Sequence, residues 1–301
     1  MSDTADAAYL LKSISHVELE QCMADLALPE ELSAELLTYI TRRKDMARLI
    51  AQAYDERYQD EAGAFDIMRR QPFTRLAVIC ALLPGLRQRF VEADMPGKVW
   101  LDSIDDIRLR ARLYFEKTGK VGLSKKDARW LRHLMGFNLF KIGSLQFQPF
   151  KMLYLDKDGI GEDFMCFTEA QKFHLPPGTP VLNTHIQHGA NLDSEALQAT
   201  FAKALKFFGR YFPSQDFKAF FTYTWLLYPG LKELLPAESR ILQFAGMWNV
   251  VSCVDDKEQA LERIFGGRRR LKADYPQESC LQRAALERMD ALGYALGVMR
   301  F

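Results

Sequence analysis

The 301-residue chain has no excess of either charge, with 40 Lys and Arg against 39 Asp and Glu and a formal net charge of +1. Without a broad positive field it has nothing to grip a phosphodiester backbone irrespective of sequence, so nucleic acid is not expected as a partner. Cysteine is sparse: Cys22, Cys80, Cys166, Cys253 and Cys280 form an odd, widely spaced set with no C-x-x-C pair. That spacing argues against a disulfide framework and against a zinc site. No apolar run approaches the length of a membrane span; the most apolar stretch, 76–86, is about half of what a bilayer needs and contains Pro84. The first six residues are acidic where a secretion signal would be basic, and the apolar stretch behind them stops at Lys12. These absences predict a cytoplasmic protein with reduced thiols and no membrane partner. Two catalytic signatures are also missing, the G-x-x-x-x-G-K-S/T phosphate loop and the G-x-S-x-G nucleophile elbow.

Phenylalanine and glycine are present but unevenly placed. Only Phe65, Phe73, Phe90 and Phe115 of the 21 Phe precede residue 137, and 12 of the 18 Gly follow Gly136. A change of structural class near residue 136 follows, giving an α+β chain with a helical domain at 1–136 and a sheet-bearing domain at 137–301. In the first part Leu32, Leu36 and Ile40, and then Leu49, Ile50 and Tyr54, recur at helical spacing. Ser124 and Asp127 fit a capping box that opens a helix which Gly136 would close.

Beyond Gly136 the period shortens. Alternation around Gly143-Ser144 predicts a hairpin, and a second strand pair is expected at 150–155 and 164–167 through a turn at Asp156-Lys157-Asp158-Gly159. That acidic turn has its glycine misplaced for a calcium loop. Further strands are expected at 180–186, 217–226 and 241–254, a helix at 194–208 N-capped by Asp193 with Leu197, Phe201, Leu205 and Phe208 on one face, and a closing helix at 278–299.

The densest cluster of chemistry lies at 181–193, where a strand carrying His185 runs into His188, Gly189, Ala190 and Asn191 just before the 194–208 helix. Free N–H groups of such a turn, together with a helix dipole, suit an anion. The same residues also read as a simple turn with a core histidine. Tyr223 and Tyr228 flank Trp225 in a run that serves equally as core or as the wall of a pocket. Arg268, Arg269 and Arg270 follow Gly266-Gly267, a fork array for phosphate or a solvated turn. His188 and Asp193 also stand in an H-x-x-x-x-D spacing like that of glycerophosphate acyltransferases, with no second phosphate motif downstream.

Three pieces in order, Leu145-Gln146-Phe147, His185-Ile186 before the Gly189 turn, and Trp225-Leu226-Leu227 followed by Pro229 and Leu231, resemble a bacterial family of GNAT-like acyltransferase-domain proteins. That family pairs a helical N-terminal domain with a GNAT-like C-terminal domain. The resemblance implies a mixed, twisted sheet flanked by helices, and transfer of an acyl group from acyl-CoA, acetyl or longer, to a small-molecule amine. It implies His185 as base with Glu162 and His188 in reserve, and Tyr223 or Tyr228 as donor to the leaving thiolate. His188, Gly189, Ala190 and Asn191 would receive the pyrophosphate and Arg268, Arg269 and Arg270 the outer phosphate. In Gln187-His188-Gly189-Ala190 the glycine stands one place earlier than in the usual Gln/Arg-x-x-Gly-x-Gly/Ala turn. A ligand-binding protein that keeps the fold without catalysis is the alternative. Neither the oligomeric state nor the acceptor's identity is written in the residues.

Overall fold

The computed structural model describes residues 16–57 and 65–301. The acidic N-terminal stretch read above for a targeting signal lies outside the described residues. The chain divides into two compact units, 1–142 and 143–301. Among the described residues no helix is long and apolar enough to cross a membrane.

The first unit is helical, as its spacing predicts: α1 (His16–Leu26), α2 (Glu30–Arg42), α3 (Met46–Glu56), α4 (Pro72–Ala81), α5 (Leu83–Glu92), α6 (Gly97–Thr118) and α7 (Lys125–Met135). Leu36, Ile40, Leu49 and Ile50 are buried on the recurring faces. The stretch that reads most like a membrane segment is the innermost helix of the unit. Leu76, Ala77, Val78, Ile79 and Cys80 all have no exposed surface, so the second half of α4 is apolar all round because it is covered all round. Pro84, near the first turn of α5, separates it from α4.

The start and end of α7 differ in how well the residues foretell them. Ser124 caps the helix as expected, its hydroxyl accepting the Asp127 N–H at 3.0 Å. Gly136 does not supply the left-handed turn at the other end; Phe137 does, at φ +59°. The Phe137 and Asn138 N–H groups bond back to Leu134 and His133 carbonyls at 3.0 Å each. Phe137 is held in this unusual conformation by rings at 5.1 Å (Phe90) and 5.2 Å (Phe140) and by the Arg89 guanidinium at 4.4 Å. Gly136 is needed for room, because a Cβ there would stand 3.0 Å from the Arg57 carbonyl.

The strand β1 (Phe140–Ile142) ends the first unit and β2 (Leu145–Lys151) opens the second, as the alternation around Gly143 predicts. In the second unit β2, β3 (Pro180–His185), β4 (Ala219–Thr224), β5 (Asn249–Val254) and β6 (Tyr294–Arg300) lie in the order β2-β3-β4-β6-β5. Only β3 and β4 run parallel; the other pairs are antiparallel, so the sheet is mixed. The helices are α8 (Lys157–Ile160), α9 (Glu169–His174), α10 (Ser194–Tyr211), α11 (Arg240–Gly246), α12 (Glu258–Phe265) and α13 (Cys280–Glu287). One face of the sheet meets the 152–175 segment through Tyr154, Leu175, Val181, Phe221 and Leu296. The other carries Phe147 and Phe220, whose rings pack on Phe201 of α10.

Four expectations for this unit are corrected. The acidic segment after Leu155 is the helical turn α8, capped by the Asp156 carboxylate on the Gly159 N–H at 3.0 Å, and 164–167 is irregular. The run 241–254 is half helix and half strand, split before β5. Leu205 is not on the buried face of α10 but more than a third exposed. The closing helix stops at Glu287, and the chain returns as β6 between β4 and β5. Apolar residues on both faces of an inner strand imitate helical spacing, while Gly293 and Gly297 tell against a helix. A Cβ on Gly293 would lie 2.3 Å from the Tyr228 ring, and one on Gly297 2.3 Å from Leu227.

Candidate active site

The parallel pairing of β3 and β4 covers only Leu182 with Phe220 and Asn183 with Phe221. Beyond that point β3 continues through Thr184 and His185, paired to β2, while β4 continues to Thr224, paired to β6. The two inner strands therefore part without closing their ladder, leaving a gap in the middle of the sheet at their C-terminal ends. Open sheets place their ligands at such a point.

His185 is the last residue of β3, and its Nε2 lies 3.0 Å from Oε1 of Gln148. Gln148 is 3% exposed and Gln146 1%, an unusual pair of buried amides on β2. Extending the register by two places brings Tyr223 level with His185 on the same face, across the gap. The Tyr223 hydroxyl is occupied: it donates to the Leu153 carbonyl at 2.9 Å and accepts the Leu155 N–H at 3.2 Å. Burial pushes its phenol well above the ordinary tyrosine range. Tyr223 thus ties down the start of the 155–165 loop, whose other end is closed by the Met165 N–H on the Leu155 carbonyl at 2.8 Å. Lys172 fastens the loop to α9, 2.8 Å from Asp156 and 2.7 Å from Asp158. Glu162 sits on this loop, exposed.

Tyr228 lies between two short 3-10 helices, Trp225–Leu227 and Pro229–Glu233, its ring over Gly293. Burial first, then the carboxylate of Asp255, raise its pKa. Trp225 is 8% exposed and belongs to the core.

The turn after β3 is open. Gly189 has φ +75° with nothing within 4 Å of an added Cβ, and His188, Gly189 and Asn191 are exposed. The Ala190 N–H bonds the Gln187 carbonyl at 3.2 Å and the Asp193 N–H the Asn191 side chain at 3.0 Å. Among the described residues the N–H groups of His188, Gly189 and Asn191 have no protein acceptor. Asp193 makes no capping bond; its carboxylate pairs with Arg240 Nε at 2.8 Å. That corrects the expected cap, and it turns the carboxylate away from the role an H-x-x-x-x-D pair would require.

The arginine run follows α12, far along the chain from this turn. Arg268 pairs with Glu258 at 2.6 Å, Arg269 bonds the Phe265 carbonyl at 3.1 Å, and Tyr275 accepts the Arg269 N–H at 2.9 Å. With Arg270 and Lys272 it borders an open cavity of about 350 Å³ that also takes in Asp290. A second cavity, of about 360 Å³, lies beside β5 and β6, where Tyr154, Gln171 and Arg300 already bond the carbonyls of Leu175, Val251 and His174.

Two residues of the second unit escaped the sequence reading. Thr184 Oγ1 and Trp248 Nε1 are buried without a hydrogen-bond partner. Thr184 reads as an ordinary strand threonine, and Trp248 sits where helix gives way to strand, so neither carried a signal. Gln148 had one, because Leu145-Gln146-Phe147-Gln148 alternates, and a buried polar face on a strand demands a partner.

Residues 139–299 match the GNAT-like C-terminal domain, and residues 17–136 match the N-acyltransferase N-terminal domain. No curated protein sequence matches the chain. Among solved structures, a mutant acyltransferase in complex with octanoyl-CoA is 19% identical, with a TM-score of 0.72 over 94% of this chain and 88% of that one. An acyltransferase in complex with decanoyl-CoA and teicoplanin is 19% identical, with a TM-score of 0.71 over 92% of this chain and 86% of that one. With the first family model on the sheet-bearing unit and the second on the helical one, the chain belongs to the GNAT-like acyltransferase family.

Proposed function

We propose that the protein is an acyl-CoA-dependent N-acyltransferase, with the transfer chemistry in residues 137–301 and a separate helical domain at 1–136. The observation that carries this reading is the parting of β3 and β4 beside an open turn with three unused N–H groups. A pantetheine arm is the shape and polarity such a gap accepts, and the pyrophosphate is the anion the turn accepts. The likeness to acyltransferases solved with octanoyl-CoA and decanoyl-CoA supports the same donor here. The structure solved with teicoplanin supports a small-molecule acceptor, and the nucleophile in this reading is an amine. Five cysteines free of disulfides support a reducing, cytoplasmic setting.

In this reading the amine nitrogen attacks the thioester carbonyl carbon. A C–N bond forms as the C–S bond breaks, the amine proton passes to His185, and CoA leaves as a thiolate that takes a proton from Tyr228. Gln148 orients the His185 ring. Tyr223 has its hydroxyl committed to backbone and positions the loop instead. Glu162 and His188, both exposed, are secondary candidates for the base. Arg268 and Arg269 are held locally, which leaves Arg270 as the run's candidate for the outer phosphate.

The test is thiol release from acetyl-, octanoyl- and decanoyl-CoA across a panel of amines. His185→Ala should lower turnover by about 10²–10⁴-fold while acyl-CoA still binds. Unchanged turnover in that variant removes His185 from the mechanism, and tight binding with no turnover of any amine favours the non-catalytic alternative.

A further inference from the structure

The layer between the sheet and α10 is aromatic, with Phe201 6.0 Å from Phe147, 4.9 Å from Phe220 and 5.8 Å from Trp248. It is interrupted by a row across β3, β4 and β6 that begins beside Phe147 of β2. Thr222 on β4 is registered with Gly297 on β6, and continuing the register of Leu182 with Phe220 by two places sets Thr184 level with Thr222. Gly297 brings no side chain to the row, and a Cβ there would lie 3.1 Å from Cβ of Trp248. Trp248 therefore lies over Gly297, at the β6 end of the row, with its ring 5.8 Å from that of Phe201. Thr184, Thr222 and Trp248 are 0%, 1% and 6% exposed.

Thr184 Oγ1 and Trp248 Nε1, each the only polar side-chain atom of its residue, are buried and unpartnered. A layer built only for packing would carry Val in place of Thr184 and Phe or Leu in place of Trp248, with no stranded polar atoms. The row also lies where β3 and β4 begin to part, at the closed inner end of the gap, where a chain filling the gap would reach it.

Resting on the acyl-CoA reading above, we infer that this row recognises an oxygen carried by the acyl chain itself. The favoured donors are hydroxyacyl- or oxoacyl-CoA thioesters, not plain alkanoyl ones. The indole N–H can only donate, and a threonine hydroxyl can donate or accept, so together they suit a hydroxyl or a ketone oxygen. The surrounding rings take the methylenes.

The experiment is calorimetric titration of the full chain with decanoyl-CoA and with its 2-hydroxy, 3-hydroxy and 3-oxo counterparts. At least one oxygenated thioester should bind about tenfold more tightly than decanoyl-CoA, the scale of one buried hydrogen bond gained. Trp248→Phe and Thr184→Val, each checked by circular dichroism and thermal melting, should bring that ratio towards one; Thr184→Val provides the test if the Trp248 variant does not fold. Equal affinities in the wild type overturn the inference, as does a preference that the folded variants retain, since the two atoms would then serve a buried water only. Failure of every thioester to bind sinks the acyl-CoA reading together with this inference, whereas tight binding without preference sinks this inference alone.

Discussion

In the helical unit Asp106 has no exposed surface, and its carboxylate receives N–H groups from Arg110 at 3.0 Å and Trp130 at 2.9 Å. In the sheet unit Thr184 is equally buried and receives none. Arg75, 5% exposed, repeats the first pattern, with its guanidinium bonded to the carbonyls of Leu123, Met68 and Arg70. Trp248 repeats the second. Arg70 and Arg132 each leave one nitrogen unpartnered in the helical unit, yet both side chains make other interactions. The contrast is between buried polar groups that hold a unit together, as Asp106 and Arg75 do, and two in the sheet unit, Thr184 and Trp248, whose polar atoms have no protein partner.

Removing the polar group should therefore have opposite signs in the two units. Asp106→Ala strands the Arg110 and Trp130 donors and should lower unfolding free energy by about 3–5 kcal/mol in urea titrations. A loss under about 1 kcal/mol would show that the Asp106 centre is dispensable. The thiols divide the same way: burial pushes Cys22 and Cys80 up to about 12, while Cys166, Cys253 and Cys280 are exposed. At pH 8 alkylation followed by mass spectrometry should mark the three exposed thiols about a thousandfold faster than Cys22 and Cys80, which label only on unfolding or above their raised pKa values. Comparable rates would mean that the helical core opens readily. Thr184→Val should raise the stability of the ligand-free protein by about 1 kcal/mol, because an unpaired hydroxyl gives way to a methyl of the same shape. Destabilisation by that amount would reveal a partner for the hydroxyl. Smallest is Asp193→Ala: with an exposed ion pair to Arg240 and no capping bond, the change should stay within about 0.5 kcal/mol, against about 1 kcal/mol for a working cap.

What the residues disclosed follows the same divide. Helical spacing exposed the first unit because most of its helices have one covered face, and the Ser124 cap works through a local bond that sequence spacing encodes. The strand, turn and helix at 180–211 were legible for a related reason, since Gly189 and the apolar face of α10 mark a change of period within a few residues. β6 was not, because an inner strand is covered on both faces and carries no alternation. The site divides likewise. His185 and the Gly189 turn stand out by residue type, whereas the gap depends on where a parallel ladder stops, and the isolation of Thr184 and Trp248 depends on neighbours far along the chain.

The central claim is that the parted strands and the open turn hold an acyl-CoA. Calorimetric titration of the intact protein with CoA, acetyl-CoA, octanoyl-CoA and decanoyl-CoA, repeated on a Gly189→Val variant, tests it most directly. The account predicts one site per chain for at least one thioester, with affinity weakened about tenfold or more by the side chain placed at φ +75° beside the free N–H groups. No binding of any of the four, or binding untouched by the substitution, would contradict it.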